Sequence, residues 1–78
     1  MSRHVLDVAA LYADLDARRD RLGLTWRDLA VMLDVAPSGF TRLAAGHKPD
    51  ADGLVTLCAW LRVGATAYTV PNRKDPDD

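Results

Sequence analysis

Several kinds of residue and segment are scarce or missing in this chain of 78 residues, and each absence narrows what it can be. The sequence has one cysteine, Cys58, so no disulfide can form within the chain, and a reducing cytoplasm is the expected setting. No apolar run approaches the ~18 residues of a membrane-spanning helix, so we expect no membrane association. The first residues carry acidic side chains and no long apolar region, which argues against a signal peptide.

Side chains that perform catalysis or bind metals are also sparse. The two histidines, His4 and His47, are far apart, and neither has a cysteine or carboxylate at the spacing of a metal site. Cys58 falls on the apolar side of its predicted helix, where a thiol is inert. No glycine-rich phosphate loop is present. We therefore expect no enzyme activity, no metal and no cofactor.

Positive charge is not in excess. The net charge is −1, whereas nucleic-acid-binding domains are usually basic. Part of the acidity lies in residues 71–78, which we expect to form a disordered tail. Residues 1–70 are the predicted single domain, with eight basic and eight acidic side chains and enough apolar residues for a modest core. A neutral domain still binds DNA when its cations are gathered on one face.

Two helices are predicted in the first half of the chain. Apolar residues recur at intervals of three and four over residues 5–22, which indicates an amphipathic helix, and Gly23 ends it. Thr25, with Asp28 three residues later, has the pattern of a capping box and begins a second helix. Asp34 falls in the following turn, where we expect a positive φ that aspartate tolerates better than most residues.

Two further helices complete the predicted fold. A third helix runs over residues 37–45, with proline in its first turn and Gly46 closing it. Asp50 or Asp52 begins a fourth, with Leu54, Leu57, Cys58 and Leu61 on its inner face. Residues 65–70 are compatible with either a helical turn or an extended segment. The fold class is therefore all-α, a bundle of four to five helices.

The most informative stretch is residues 23–49, because its residues are spaced like those of a known motif. The chain resembles the Cro/C1-type helix-turn-helix domain of phage repressors and XRE-type bacterial regulators. The matching residues are Arg19, Gly23, Leu24, Thr25, Leu29, Ala30, Val35, Leu43, Gly46, Lys48 and Pro49. The resemblance implies a lambda-repressor-like bundle containing a helix-turn-helix. The absence of Glu, Gln and Ile is typical of coding from GC-rich bacterial or phage DNA.

Three positions depart from the family pattern. Trp26 stands where the family often has a glutamine, and it either packs against a sugar-phosphate edge or covers the neighbouring helix. Ala44 replaces a glutamate that often pairs with the family arginine, so Arg19 is left for a phosphate or another carboxylate. Phe40 replaces the usual isoleucine or valine between the two motif helices, which predicts wider local packing.

The function implied by the resemblance is a sequence-specific DNA-binding regulator. It would act, most simply as a repressor, as a homodimer on a pseudo-palindromic operator in double-stranded DNA. Its base-reading positions correspond to Pro37, Ser38, Gly39, Thr41 and Arg42. Arg42 is the strongest of these because arginine makes a two-pronged contact with guanine, and a solvated arginine on a surface helix is the alternative interpretation. Ser38 and Thr41 could equally bond their own helix backbone.

Phosphate contacts are expected around the same two helices. The residues implied are Thr25, Trp26, Arg27, His47 and Lys48, with backbone N–H groups contributing at the helix start. Each of the charged side chains among them could also be a solvated surface group.

Dimer contacts are expected from the fourth helix and the segment that follows it. The residues implied are Trp60, Tyr68 and Val70, with Trp60 alternatively belonging to the core. A rival interpretation is a protein-interaction module, such as an antitoxin or a docking subunit of another regulator. The rival is favoured by the neutral charge, by the acidic tail and by the start of the third helix, where residues 36–39 have short side chains instead of the family's long polar ones. Asp14 and Asp16 are expected on a solvated face.

Overall fold

The computed structural model describes residues 4–64 and 68–71. This part of the chain forms six elements: β1 (His4–Leu6), α1 (Val8–Arg21), α2 (Trp26–Leu33), α3 (Ser38–Ala44), α4 (Ala51–Leu61) and β2 (Thr69–Pro71). The predicted small all-α bundle is confirmed, with a short antiparallel sheet added to its four helices. None of the described helices is long and apolar enough to cross a membrane.

The sheet corrects the predicted start of the first helix. Residues 4–6 pair with residues 69–71, with Val5 opposite Val70, so the chain before Asp7 is extended rather than helical. The side chain of Asp7 accepts a 3.0 Å hydrogen bond from the Ala10 N–H, and this cap begins the helix at Val8. The apolar spacing of three and four residues extends by chance into β1, so it suggested a helix there. A strand of three residues is too short to show an alternating pattern of its own.

The sheet also decides part of the segment that follows α4. Of the two conformations open for residues 65–70, the extended one holds for Thr69 and Val70, while residues 65–67 lie outside the described part. Pro71, which the sequence assigns to the tail, is the last residue of β2. The predicted disorder of residues 72–78 concerns residues that the structure does not describe.

The core lies between α1 and the three helices packed against it. Its buried apolar side chains are Val8, Leu11, Leu15, Leu29, Ala30, Phe40, Leu43, Leu57, Cys58 and Tyr68. The predicted inner face of α4 is confirmed for Leu57 and Cys58, and Leu54 and Leu61 are partly buried beside them. Burial also raises the pKa of the Cys58 thiol, in keeping with an unreactive core position.

Left-handed backbone marks the ends of all four described helices. Gly23 follows α1 with φ +70°, Asp34 ends α2 with φ +55°, and Arg62 ends α4 with φ +61°. The conformation at Asp34 was predicted from its turn position, whereas nothing in the sequence marked Arg62. The third helix begins at Ser38 with Pro37 in the capping position, one residue later than predicted, and Gly46 closes it with φ +91°.

Candidate nucleic-acid interface

A capping box fixes the start of α2. The Thr25 hydroxyl accepts a 3.0 Å hydrogen bond from the Asp28 N–H, and the Asp28 carboxylate accepts one of 3.0 Å from the Thr25 N–H. These hydrogen bonds favour the charged carboxylate and lower the pKa of Asp28. The Thr25 N–H is therefore already occupied, and a negative charge stands at the helix start. The donors left there for a phosphate are the N–H groups of Trp26 and Arg27, which an α-helix leaves without an acceptor.

The turn after α2 directs α3 across the bundle. Asp34 ends α2 in the left-handed conformation, and the Val35 N–H donates a 3.0 Å hydrogen bond to the Ala30 carbonyl. Four residues, 34–37, then separate the two helices. This short connection allows α3 to lie against the core with one side only.

The two sides of α3 differ in character. Phe40 and Leu43 are buried, with 4% and 5% of their surface exposed, and they fix the rotation of the helix about its axis. The side chains of Ser38, Thr41 and Arg42 are exposed on the outside. Arg42 makes no ion pair or side-chain hydrogen bond within the described residues. An arginine held on a fixed helix with no internal partner is free to bind a ligand.

A shallow groove of about 840 Å³ runs beside α3 towards the start of α4. Five of the predicted DNA-contacting residues line it together: Ser38, Gly39, Arg42, His47 and Lys48. The predicted base-reading residues Pro37 and Thr41 are exposed but do not line it. The carboxylates of Asp34, Asp50 and Asp52 line the same groove. The groove is therefore lined by both basic and acidic side chains.

Trp26 is held inside its own chain by an aromatic stack. Its ring lies parallel to that of Tyr12 at 5.1 Å between centroids, and it meets the tilted ring of Phe40 at 4.9 Å. The indole thus joins α1, α2 and α3, and it is half-buried. The structure agrees with the interpretation in which Trp26 covers the neighbouring helices. The stack also accounts for the large Phe40 between the motif helices.

Arg19 has the carboxylate partner that the sequence left open. Its guanidinium donates to Asp16 at 2.7 Å and to the Leu24 carbonyl at 2.6 Å, and it lies over the Trp26 ring at 4.9 Å. Asp16 is therefore an ion-pair partner of Arg19, and with 48% of its side chain exposed it also keeps the solvated position that was predicted. Their spacing of three residues on one helix was the available signal. Nothing in the sequence indicated the contacts of Arg19 with Leu24 and Trp26.

The three predicted dimer residues have different surroundings. Trp60 is half-buried, with the Arg18 guanidinium 5.2 Å from its ring centre. Tyr68 is 5% exposed and donates a 2.8 Å hydrogen bond to Asp14, so the core of its own protomer takes up most of its surface. Asp14 is exposed, as expected, and it also accepts this hydrogen bond from Tyr68, which the sequence did not predict. Val70 lies in β2, opposite Val5.

Among the described residues, no three His, Cys, Asp or Glu side chains lie together as metal ligands. Comparison with protein-family models, with curated proteins and with solved structures finds no match to this chain. The interpretation of function therefore depends on the geometry of the residues themselves.

Proposed function

We propose that this protein is a sequence-specific regulator that binds double-stranded DNA through α3 and acts as a homodimeric repressor on a pseudo-palindromic operator. The observation that carries the proposal is the pair of faces on α3. Phe40 and Leu43 anchor the helix in the core, while Ser38, Thr41 and the unpartnered Arg42 face outwards. A fixed helix with exposed hydrogen-bonding side chains is what reading of the major groove requires.

The distribution of cations supports this orientation. His47 and Lys48 follow α3 and line the groove beside Arg42, and Arg27 is exposed in the first turn of α2. These side chains would contact phosphates on either side of the base-reading helix. A near-neutral net charge does not exclude DNA binding, because the exposed basic side chains of Arg27, Arg42 and Lys48 lie on α2, on α3 and just after α3.

Dimerisation supplies the affinity that one short helix lacks. Two copies related by a twofold axis would place their α3 helices about 34 Å apart, one turn of DNA. We assign the dimer contacts to the exposed side of α4 near Trp60 and to β2, including Val70. Occupation of a promoter by the bound dimer is the simplest mode of action, and it would take place in the cytoplasm.

Selection of bound sequences from random duplex DNA tests the proposal. Wild-type protein should enrich a twofold-symmetric site, and Arg42→Ala should bind that site about 10- to 100-fold more weakly, which is the loss of one good base contact. Arg62→Ala removes the same charge at the end of α4, away from the groove, and should bind like the wild type. If no sequence is enriched, or if both arginine variants lose affinity equally, the proposal is wrong.

A second function has its own supporting observation. Val31 and Met32 on α2 are 77% and 57% exposed, which is unusual for large apolar side chains on so small a surface. A partner protein covering α2 would bury them, as in an antitoxin or a docking subunit. Salt separates the two functions, because phosphate contacts make affinity fall steeply with ionic strength whereas an apolar contact is nearly insensitive to it.

A further inference from the structure

Gly39 is the second residue of the seven-residue helix α3, in its first turn, where alanine favours the helix more than glycine does. Glycine is a poor helix former because it loses more backbone freedom on folding than any other residue. A short helix with a glycine in it therefore needs a reason for that residue. The reason lies either in the fold itself or in something that binds to it.

The fold explains the other glycines whose surroundings the structure describes. Gly23 and Gly46 have φ values of +70° and +91°, which side chains rarely adopt. Gly53 has no room for a side chain, because a Cβ there would lie 2.7 Å from the Asp50 carboxylate oxygen that caps α4. Each of these three positions is constrained by the chain itself.

The fold offers no such explanation for Gly39. Its backbone is helical, its N–H donates to the Ala36 carbonyl at 2.9 Å, and a Cβ built on it would meet no atom within 4 Å. The missing side chain thus leaves open space at the surface. Alanine would fit that space and would favour the helix.

The open space adjoins the strongest predicted base-reading side chain. Gly39 and Arg42 are three residues apart, which places them side by side on one face of a helix, and both line the groove. Arg42 is also the exposed cation of α3 with no partner in the described chain. A ligand that Arg42 binds within the groove would therefore lie beside the backbone of Gly39.

We infer that Gly39 is a specificity-determining residue whose bare backbone lets α3 approach the edges of the bases closely enough for Arg42 to reach its guanine. This inference rests on the proposed DNA-binding function and assigns a role within it. A Cβ at position 39 would hold the helix away from the floor of the major groove. Stability and binding therefore make opposite demands on this residue.

The test measures thermal unfolding and DNA affinity on the same Gly39→Ala protein. The unfolding midpoint should rise by roughly 2–8 °C, as expected for alanine in place of a helical glycine. Affinity for the site selected by the wild type should fall at least about tenfold, since the displaced base contact carries that much discrimination. Gly39→Val should weaken binding further. The same substitution at Gly53 is the matched control for stability and should lower the midpoint.

The outcomes separate this inference from the proposed function. A Gly39→Ala protein that is more stable and binds the selected DNA as well as the wild type overturns the inference and leaves DNA binding intact. A Gly39→Ala protein that is less stable also overturns it, because the fold itself would then require the glycine. If the wild type selects no DNA at all, the proposed function fails, and the inference fails with it.

Discussion

The hydroxyl of Tyr68 donates a 2.8 Å hydrogen bond to the carboxylate of Asp14, joining residues 54 positions apart in the chain. The contact ties the segment before β2 to the middle of α1. Burial, together with this hydrogen bond and the nearby negative charge, raises the pKa of Tyr68 to about 12. The phenol therefore keeps its proton more strongly in the folded chain than in the unfolded one.

Alkaline pH should weaken the fold through Tyr68. Because its folded pKa lies above the ordinary tyrosine value of 10, the stabilising contribution of Tyr68 is complete below pH 10 and is lost as the pH rises towards 12. By pH 11 the wild type should have lost about 1 kcal/mol more of its free energy of unfolding than Tyr68→Phe has, as measured by urea denaturation. Tyr12→Phe is the matched control and should decline like the wild type. Parallel pH profiles for wild type and Tyr68→Phe would contradict this account.

Removing the indole of Trp26 should destabilise the fold, whereas removing the side chain of its exposed neighbour Arg27 should have little effect. Trp26→Ala breaks two aromatic contacts and the contact with Arg19, so we expect the free energy of unfolding to fall by about 2–3 kcal/mol. Arg27→Ala, next to it on the exposed side of α2, should change it by less than about 0.5 kcal/mol. Denaturant titration checks both. Equal effects of the two substitutions would mean that the stack contributes little.

Glycine at the left-handed positions should stabilise the chain, and more at Arg62 than at Asp34. Arg62 has φ +61°, a conformation that residues other than Gly, Asn and Asp rarely adopt, so glycine at this position removes backbone strain. We expect about 1 kcal/mol from Arg62→Gly and about half of that from Asp34→Gly, read from thermal unfolding. The reverse change, Gly46→Ala at φ +91°, should be destabilising although space for the Cβ is open. A larger gain at Asp34 than at Arg62 would refute the ranking.

Lys48 should contribute charge rather than sequence preference. We expect Lys48→Ala to weaken binding to selected and unrelated duplexes alike and to reduce the slope of log affinity against log salt by about 1. Lys48→Arg keeps the charge and should keep the slope. Fluorescence anisotropy over a salt series measures this. An unchanged slope in Lys48→Ala would place Lys48 away from the DNA phosphates.

Local signals predicted most of the helical structure. The capping box of Thr25 and Asp28, the left-handed Asp34 and the closing Gly46 depend on residues within a few positions of each other, so their chemistry is legible in the sequence. The apolar spacing then identified the buried faces of the helices. These effects are local and strong enough to hold in the folded chain.

Contacts between distant residues could not be predicted in the same way. Nothing near Tyr68 in the sequence indicates Asp14, and nothing near Val5 indicates Val70 as its strand partner. Within the candidate interface, sequence reasoning selected Ser38 and Arg42 but could not tell that Pro37 and Thr41 lie outside the groove they share. That division depends on the rotation of α3, which Phe40 and Leu43 set through tertiary packing.

The pairing of β1 with β2 makes the described chain almost a ring. Three residues on each strand close it, from His4 opposite Pro71 to Leu6 opposite Thr69. The pairing closes a loop of more than 60 residues with few hydrogen bonds, which is entropically costly. We therefore expect β1 and β2 to pair late in folding and to separate before the rest of the bundle unfolds. The amide protons of Val5 and Val70 should therefore exchange with solvent through local opening, while that of the fully buried Leu15 waits for global unfolding. The helices would then stay folded after the pairing of β1 with β2 has opened.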